Sequence, residues 1–214
     1  MSIYSVFEKL AEQGYWPKVA IDCGYHIGDW TAEIKHRFYD VMVLGVEANT
    51  NILPRGQADI QECAVLWSED GIRLPFYQVY GETTPCTGDS VFRERDQPGA
   101  AVEYRTSATL NTLVKKHTLS KIDVLKMDVQ GAELEVLKGC SDFLSTVDFV
   151  QLECALVEYN IGAPSIYEVF AFMKEQFDVH DITELMYANG NDAHDLTHLD
   201  IMFKRRNFII EGVR

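Results

Sequence analysis

Two short apolar segments, each ending at an acidic residue, restrict the fold more than any other feature of this chain. The first, residues 19–22, ends in Asp22 and leads into a D-x-G-x-x-x-G turn at residues 22–28. The second, residues 41–46, is followed directly by Glu47. The order of these segments predicts a strand, a glycine turn, a helix, a second strand and an acid. An open α/β sheet binds an adenosine-containing cofactor with this unit.

The glycine turn differs from the one that binds a pyrophosphate. A G-x-G-x-x-G turn lets the backbone approach phosphates, whereas this chain has His26 at the middle glycine position. The turn therefore favours a cofactor without phosphates, S-adenosyl-L-methionine rather than NAD. Glu47 could accept hydrogen bonds from the ribose, with Ala48 and Asn49 on the adenine side. An ordinary strand–helix connection and a solvated acid are the alternative interpretation.

The rest of the chain alternates strand and helix patterns. Strand patterns cover residues 60–66, 72–78, 102–107, 122–127, 147–153, 179–185 and 199–204, and helical periodicity covers 2–13, 29–38, 109–116, 132–138 and 165–177. Alternation predicts a mostly parallel sheet with helices on both faces, and the last two strands predict an antiparallel pair. The 214 residues suit one domain, 1–214, with an N-terminal helix in 1–16 and an irregular segment, 78–101, as the substrate loop.

Charge and composition argue against several classes of partner. The formal net charge is −14, so nucleic acid and anionic membrane surfaces would repel the chain. The first residues lack the apolar core of a signal peptide, and no segment reaches ~18 consecutive apolar residues. Five dispersed cysteines without C-x-x-C spacing fit neither a disulfide framework nor a zinc site. We therefore expect a cytoplasmic protein that binds neither nucleic acid nor membrane.

A second group of charged residues surrounds the strand at 122–127. Lys126 lies within the strand, Asp128 at its exit and Glu133 at the start of the next helix, and Glu153 ends the following strand. Strand ends of a parallel sheet meet at one edge, so these side chains are expected beside the cofactor. The three acids are candidate general bases, with Lys126 as a partner, and the sequence does not rank them. A structural ion pair is the alternative for each.

These motifs together resemble the FkbM family of S-adenosylmethionine-dependent methyltransferases. The resemblance covers about residues 18–205 and rests on these segments: DCGYHIG at 22–28, EAN at 47–49, TLNTL at 109–113, LKMDVQGAE at 125–133, VLKG at 136–139, VQLE at 150–153 and DIMF at 200–203. The chain departs from the family pattern at three positions, where His26 replaces Asn, Asn111 replaces Asp and Gln130 replaces Glu.

The resemblance implies a Rossmann-like class I methyltransferase fold, a mostly parallel seven-stranded sheet with helices on both faces and an antiparallel C-terminal strand. It also implies methyl transfer, usually to a hydroxyl of a saccharide or small secondary metabolite. The residues that it assigns to the cofactor are Asp22, Gly24, Tyr25, His26 and Gly28 around the amino-acid part, Glu47, Ala48 and Asn49 at the ribose and adenine, Ala64 near the adenine, and Asp128 at the methionine end.

Several questions stay open on the sequence alone. A non-catalytic module that binds S-adenosylmethionine within a complex, and an NAD-dependent oxidoreductase, are the alternatives to a methyltransferase. The acceptor contacts must come from segment 78–101, segment 186–197, the N-terminal helix or the second subunit of a homodimer. His194 and His198 lie near three aspartates, but a polar loop collects such residues, and we predict no metal site.

Overall fold

The computed structural model describes residues 3–52, 57–79, 87–96, 100–191 and 195–210. The strands are β1 (Val19–Cys23), β2 (Met42–Glu47), β3 (Ile60–Cys63), β4 (Val65–Leu66), β5 (Arg73–Gln78), β6 (Ala101–Ala108), β7 (Val124–Met127), β8 (Phe149–Ala155), β9 (Phe177–Asn191) and β10 (Leu196–Arg205). The helices are α1 (Ile3–Glu12), α2 (Asp29–Arg37), α3 (Leu110–Lys116), α4 (Glu133–Lys138), α5 (Ser141–Leu144) and α6 (Ile166–Met173).

Within these ranges a seven-stranded sheet forms the centre of the molecule. Its strand order is β3-β2-β1-β7-β8-β10-β9. Five neighbouring strands of this sheet are parallel, namely β3, β2, β1, β7 and β8. Strand β10 is antiparallel to both of its neighbours, β8 and β9. The predicted mostly parallel sheet with an antiparallel C-terminal strand is therefore confirmed. Because β1 lies between the parallel strands β2 and β7, the turn that follows it has strand ends on both sides.

The two faces of the sheet carry separate hydrophobic cores, because alternate residues of a strand point to opposite faces. Ile21 and Leu125 pack with helices α3 to α6, while Ala20 and Val124 pack with α1 and α2, including Phe7 of α1. The predicted helices on both faces are confirmed. On the α1–α2 face the strands become polar towards their carboxyl ends, and the buried polar residues there are Asp22, Lys126 and Gln151.

Two features of the fold differ from the pattern in the sequence. Segment 60–66 is not one strand, because the chain leaves the large sheet after Cys63 and pairs β4 with β6 in a small sheet of order β4-β6-β5. The last two strands are longer than the patterns at 179–185 and 199–204, because β9 and β10 extend through most of segment 186–197 as a hairpin. A strand at the edge of a sheet can be polar on both sides, so apolar alternation does not mark its full length.

The described residues 87–96 of the predicted substrate loop are hydrogen-bonded to the rest of the chain. Ser90 and Tyr77 exchange two backbone hydrogen bonds, and Glu94 pairs with Asn160 in an isolated bridge. Residues 80–86 and 97–99 of this loop lie outside the described residues. Residues 87–96 are therefore held between β5 and the segment that follows β8.

In the described ranges, each helix is too short or too polar to cross a bilayer. The assignment of the whole chain to one domain and its cytoplasmic location stay predictions.

Candidate active site

A cavity of about 580 Å³ opens at the carboxyl ends of the parallel strands. This volume is within the usual range for small-molecule sites. The residues that the sequence predicted and that line the cavity are Gly24, Tyr25, His26, Glu47, Ala48, Ala64, Lys126, Asp128 and Glu153. We call it the catalytic cavity. Thus residues from five strand ends, those of β1, β2, β3, β7 and β8, line one cavity although they are far apart in sequence.

Gly24 brings the turn after β1 against the end of β7. Its backbone N–H donates to the carbonyl of Val46 at 3.0 Å, and its φ of 78° is in the left-handed region. A Cβ atom at this position would lie 1.8 Å from the carbonyl oxygen of Asp128. Only glycine therefore fits where the turn meets the exit of β7, and this contact places the turn beside Asp128.

Glu47 is fixed by the backbone of its own turn and of the glycine turn. Oε2 accepts from the N–H of His26 and Oε1 from the N–H of Asn49, each at 2.7 Å. Burial raises the pKa of this carboxyl, while the two N–H groups oppose the shift. Each oxygen keeps a further lone pair for a ligand hydroxyl. The half-buried carboxylate thus fits a ribose, as the expected cofactor requires.

The side chain of Tyr25 packs against the glycine turn and against β2. Its ring is 3% exposed, and its hydroxyl accepts from the N–H groups of Gln57 and Ala58 at 3.2 Å. A Cβ at Gly28 or at Gly45 would lie 2.6 Å from the Tyr25 side chain. The ring therefore fills the space that two glycines leave, and Gly28 acts here through packing because it does not line the catalytic cavity.

Asp22 and Lys126 form a buried ion pair beneath the cavity. Lys126 Nζ lies 3.2 Å from Asp22 Oδ1, and Thr31 donates a hydrogen bond to Asp22 Oδ2 at 2.8 Å. Burial would lower the Lys126 pKa, but Asp22 and Asp128 outweigh it and hold the pKa above its ordinary value. Lys126 is therefore a cation. Asp22 does not line the cavity, and it is connected to the cavity wall through Lys126.

Asp128 and Glu153 form a carboxyl pair that Gln130 bridges. Gln130 Nε2 donates to Asp128 Oδ1 and to Glu153 Oε2, each at 2.8 Å. Burial and the Asp128 charge raise the pKa of Glu153 well above its ordinary value. Burial also opposes ionisation of Asp128, but Lys126, Glu153 and Gln130 hold its pKa below the ordinary value. The two carboxyls therefore titrate as a coupled pair, in which Glu153 holds a proton more readily than Asp128 does.

The main chain of Gln130 is fixed as firmly as its side chain. Its φ is 53°, and its carbonyl accepts from Ser90 Oγ at 2.6 Å and from Asn160 Nδ2 at 2.8 Å. The two donors come from the segments that follow β5 and β8. The position and orientation of the carboxyl pair therefore depend on both segments.

Glu133 is a buried acid outside the catalytic cavity. Its side chain is aimed instead at a second cavity beyond Gln130, and Oε1 accepts from the N–H groups of Val129 and Gly131 at 3.0 and 3.2 Å. Burial raises its pKa to about 7. It closes the turn between β7 and α4, and the structure does not place it against the reacting groups.

The Glu133→Gln variant is expected to have a flatter dependence of stability on pH. The folded-state pKa exceeds the ordinary value of 4.5, so wild-type stability is highest below that value and is lost as pH rises to about 7. Each pKa unit corresponds to ~1.4 kcal/mol, so roughly 3 kcal/mol of pH dependence should disappear. Urea unfolding between these pH values measures it. Glu135→Gln on the same helix is the control, because the Glu135 pKa is lowered and its loss cannot flatten the curve in this direction.

Several residues of the cavity wall were not predicted as site residues, although Gln151 and Asp200 lie in segments that resemble the family. The residues not predicted are Trp30 and Glu33 of α2, Asp89, Gln151, Tyr159, Glu184 and Asp200. Trp30 donates to Gln151 at 2.7 Å, and Asp89 accepts from the N–H of Val79 at 2.7 Å. Helix α2, strand β8, the β9–β10 hairpin and two irregular segments contribute them. The predicted substrate loop, 78–101, supplies part of the cavity wall. No described residue of α1 lines the cavity.

The polar residues of the hairpin do not form a metal site in the described part of the chain. There, no three His, Cys, Asp or Glu side chains lie close enough together to hold a metal ion. His198 lines the catalytic cavity, and burial lowers its pKa, so its imidazole is neutral at pH 7. Asp192 and His194 lie outside the described residues.

The family model of the methyltransferase FkbM domain matches residues 22–193. No curated protein matches the sequence significantly.

Among solved structures, three are similar at low identity. A putative ribosomal RNA methyltransferase from Plasmodium falciparum is 13% identical over 94% of each chain, with a TM-score of 0.48. Precorrin-6y C5,15-methyltransferase from Geobacter metallireducens is 9% identical, over 94% of this chain and 88% of that one, with a TM-score of 0.46. The N-terminal domain of EvdMO1 with SAH bound is 10% identical, over 95% and 81%, with a TM-score of 0.47. At these values the likenesses say nothing about what this chain acts on.

Proposed function

Because this chain belongs to the FkbM family of methyltransferases, we propose that it methylates a hydroxyl oxygen of a saccharide or small secondary metabolite. The methyltransferase class and the cofactor, S-adenosyl-L-methionine, follow from the family. The same match overturns the alternative of an NAD-dependent oxidoreductase. The acceptor and the atom that receives the methyl group are our proposal.

The residues of the catalytic cavity divide into a cofactor part and an acceptor part. Bound S-adenosylmethionine supplies a methyl group activated by its sulfonium charge. The Gly24 turn and Glu47 hold the amino-acid and ribose parts, and Lys126 and Asp128 lie at the methionine end. Trp30, with the residues of the β9–β10 hairpin, borders the remaining space. Alignment of the acceptor with the methyl group accounts for much of the rate in such a displacement.

The carboxyl pair at the cavity wall is the observation that carries the proposal of a hydroxyl acceptor. A hydroxyl loses its proton as it is methylated, and a positioned base contributes ~10²–10⁴-fold. Two fifths of the Asp128 side chain is exposed, and the carboxylate is ionised. Lys126 is a cation, and Glu133 faces elsewhere. Of the four predicted catalytic residues, we assign proton removal to Asp128, with Glu153 and Lys126 as its partners.

Calorimetry with S-adenosylmethionine and S-adenosylhomocysteine tests the cofactor site. In Glu47→Gln the new amide must face a backbone N–H, so we expect ~10–100-fold weaker binding. Glu62→Gln is the matched control, since Glu62 lies on the adjacent strand β3, does not line the cavity and pairs with Lys116 of α3. Equal affinity of Glu47→Gln and wild type would remove Glu47 from the cofactor site.

Transfer of a labelled methyl group to a panel of saccharides and hydroxylated metabolites tests the reaction. We expect a product with a new methyl ether. Labelled product with the methyl group on nitrogen or carbon would contradict the proposed oxygen acceptor. Tight cofactor binding without transfer to any acceptor would favour a non-catalytic module.

A further inference from the structure

A second cavity of about 280 Å³ lies beside the catalytic cavity, between the end of β8 and the start of α6. We call it the annex cavity; among its lining residues are Glu133, Cys154, Asn160, Ile166 and Val169. Four residues line both cavities: Gln130, Glu153, Tyr159 and His198. The two spaces are therefore neighbours that share one wall, and this wall contains the bridge of the carboxyl pair.

Asn160, at the wall of the annex cavity, has a side-chain acceptor without a hydrogen-bond partner in the described part of the chain. The residue is 7% exposed, and its Nδ2 donates to the carbonyl of Gln130 at 2.8 Å. That bond fixes the orientation of the amide, because only the nitrogen can donate. Its Oδ1 is buried and has no hydrogen-bond partner in the described part of the chain. A buried acceptor without a donor is unfavourable, so the site is suited to a ligand that carries an O–H or N–H group.

The charges around the annex cavity favour a neutral ligand. None of the described lining residues is Lys or Arg, so an anion would find no cationic partner. The acids on the wall already have partners: Glu158 pairs with Arg95, Glu168 accepts from Ser165 at the start of α6, and Glu133 accepts two backbone N–H groups. A cation would therefore gain little from them.

The remaining wall is apolar. Ile166 and Val169 of α6 border the cavity together with Leu156 and Val157 of the segment after β8. A pocket with apolar walls and a few polar groups fixes a ligand by both kinds of contact. A sugar ring has this composition, since its C–H face is apolar and its hydroxyl groups are donors.

We propose that the annex cavity binds a neutral sugar ring next to the ring whose hydroxyl is methylated, so that the acceptor is a glycoside of at least two rings. A ring hydroxyl donates to Asn160 Oδ1, and the C–H face packs against Ile166 and Val169. This inference rests on the proposed methylation of a saccharide and specifies its substrate class.

The test compares neutral disaccharides with the methyl glycosides of their single rings. Both are titrated into protein saturated with S-adenosylhomocysteine, and the Asn160 side-chain amide signal, assigned by its loss in Asn160→Ala, reports the annex cavity by NMR. We expect at least one disaccharide to bind about tenfold more tightly than its single ring and to shift this signal. Val157→Trp, which narrows the cavity from a half-exposed position, should remove the difference, and Val157→Thr should keep it.

Three results would overturn the inference: equal affinity for one and two rings, an unchanged Asn160 signal, or tighter binding of charged sugars than of neutral ones. Calorimetry with S-adenosylhomocysteine separates this failure from that of the proposed function. If the wild-type protein does not bind S-adenosylhomocysteine, the proposed function is wrong. Intact cofactor binding and transfer to single rings, with no role for the annex cavity, would defeat only this inference.

Discussion

Asp128→Asn is expected to lower kcat by ~10²–10⁴-fold, the contribution of a positioned general base. The amide keeps the size of the carboxyl group and can still contact Gln130 and Glu153, but it cannot accept the hydroxyl proton. Lys126 keeps Asp22 as a partner at 3.2 Å, so the fold should be retained. The measurement is kcat at saturating cofactor with the acceptor found by the methyl-transfer panel, together with the Kd of S-adenosylhomocysteine.

Comparison of the change in kcat with the change in the Kd of S-adenosylhomocysteine decides the role of Asp128. If Asp128 only held the cofactor, Kd would rise and kcat at saturating cofactor would be preserved. Glu135→Gln is the matched control, since it removes a carboxyl of helix α4 that lines neither the catalytic cavity nor the annex cavity. It should leave kcat close to the wild-type value. A kcat in Asp128→Asn equal to that of this control would refute the assignment of the base.

Gly24→Ala is expected to destabilise the protein by roughly 3–5 kcal/mol or to prevent folding. The new Cβ would lie 1.8 Å from the backbone oxygen of Asp128, and no flexible side chain can move to relieve the clash. The end of β7 would have to shift, and the carboxyl pair with it. Urea unfolding measures the loss, and calorimetry with S-adenosylhomocysteine measures the cofactor site of any protein that folds.

Gly71→Ala separates the clash from backbone strain. Gly71 has a φ of 79°, almost the 78° of Gly24, but a Cβ there would meet no atom within 4 Å. It should therefore cost only the ~1–2 kcal/mol of a left-handed alanine. If both variants lose the same stability, close contact with Asp128 has no special role.

The sheet could be predicted from sequence because its central strands are apolar on both faces and end in polar residues. Segments 19–22 and 122–127 have this pattern, and the structure places them side by side as β1 and β7. The small sheet could not be predicted in the same way. Its strand β4 has only two residues, Val65 and Leu66, too few for any periodicity. The full length of β9 was missed because an edge strand needs no apolar alternation.

The cofactor end of the cavity was likewise more predictable than the acceptor end. Gly24, Glu47 and Asp128 follow strands directly, so topology alone brings them together. Trp30 and Tyr159 reach the cavity from a helix and from an irregular segment, and their positions depend on tertiary packing. Sequence also cannot show that Gln130 would bridge two acids, because that requires the left-handed backbone at this residue.

The carbonyl of Gln130 ties two segments of the cavity wall to one atom. Ser90 and Asn160 both donate to it, and the segments that carry them are joined to each other where Arg95 donates to Tyr159 and Ile161 donates to Arg93, each at 2.9 Å. Displacement of either segment therefore breaks hydrogen bonds to the other segment as well as the bond to this carbonyl. The two stretches of cavity wall and the turn that carries the carboxyl pair are thus coupled through one backbone atom.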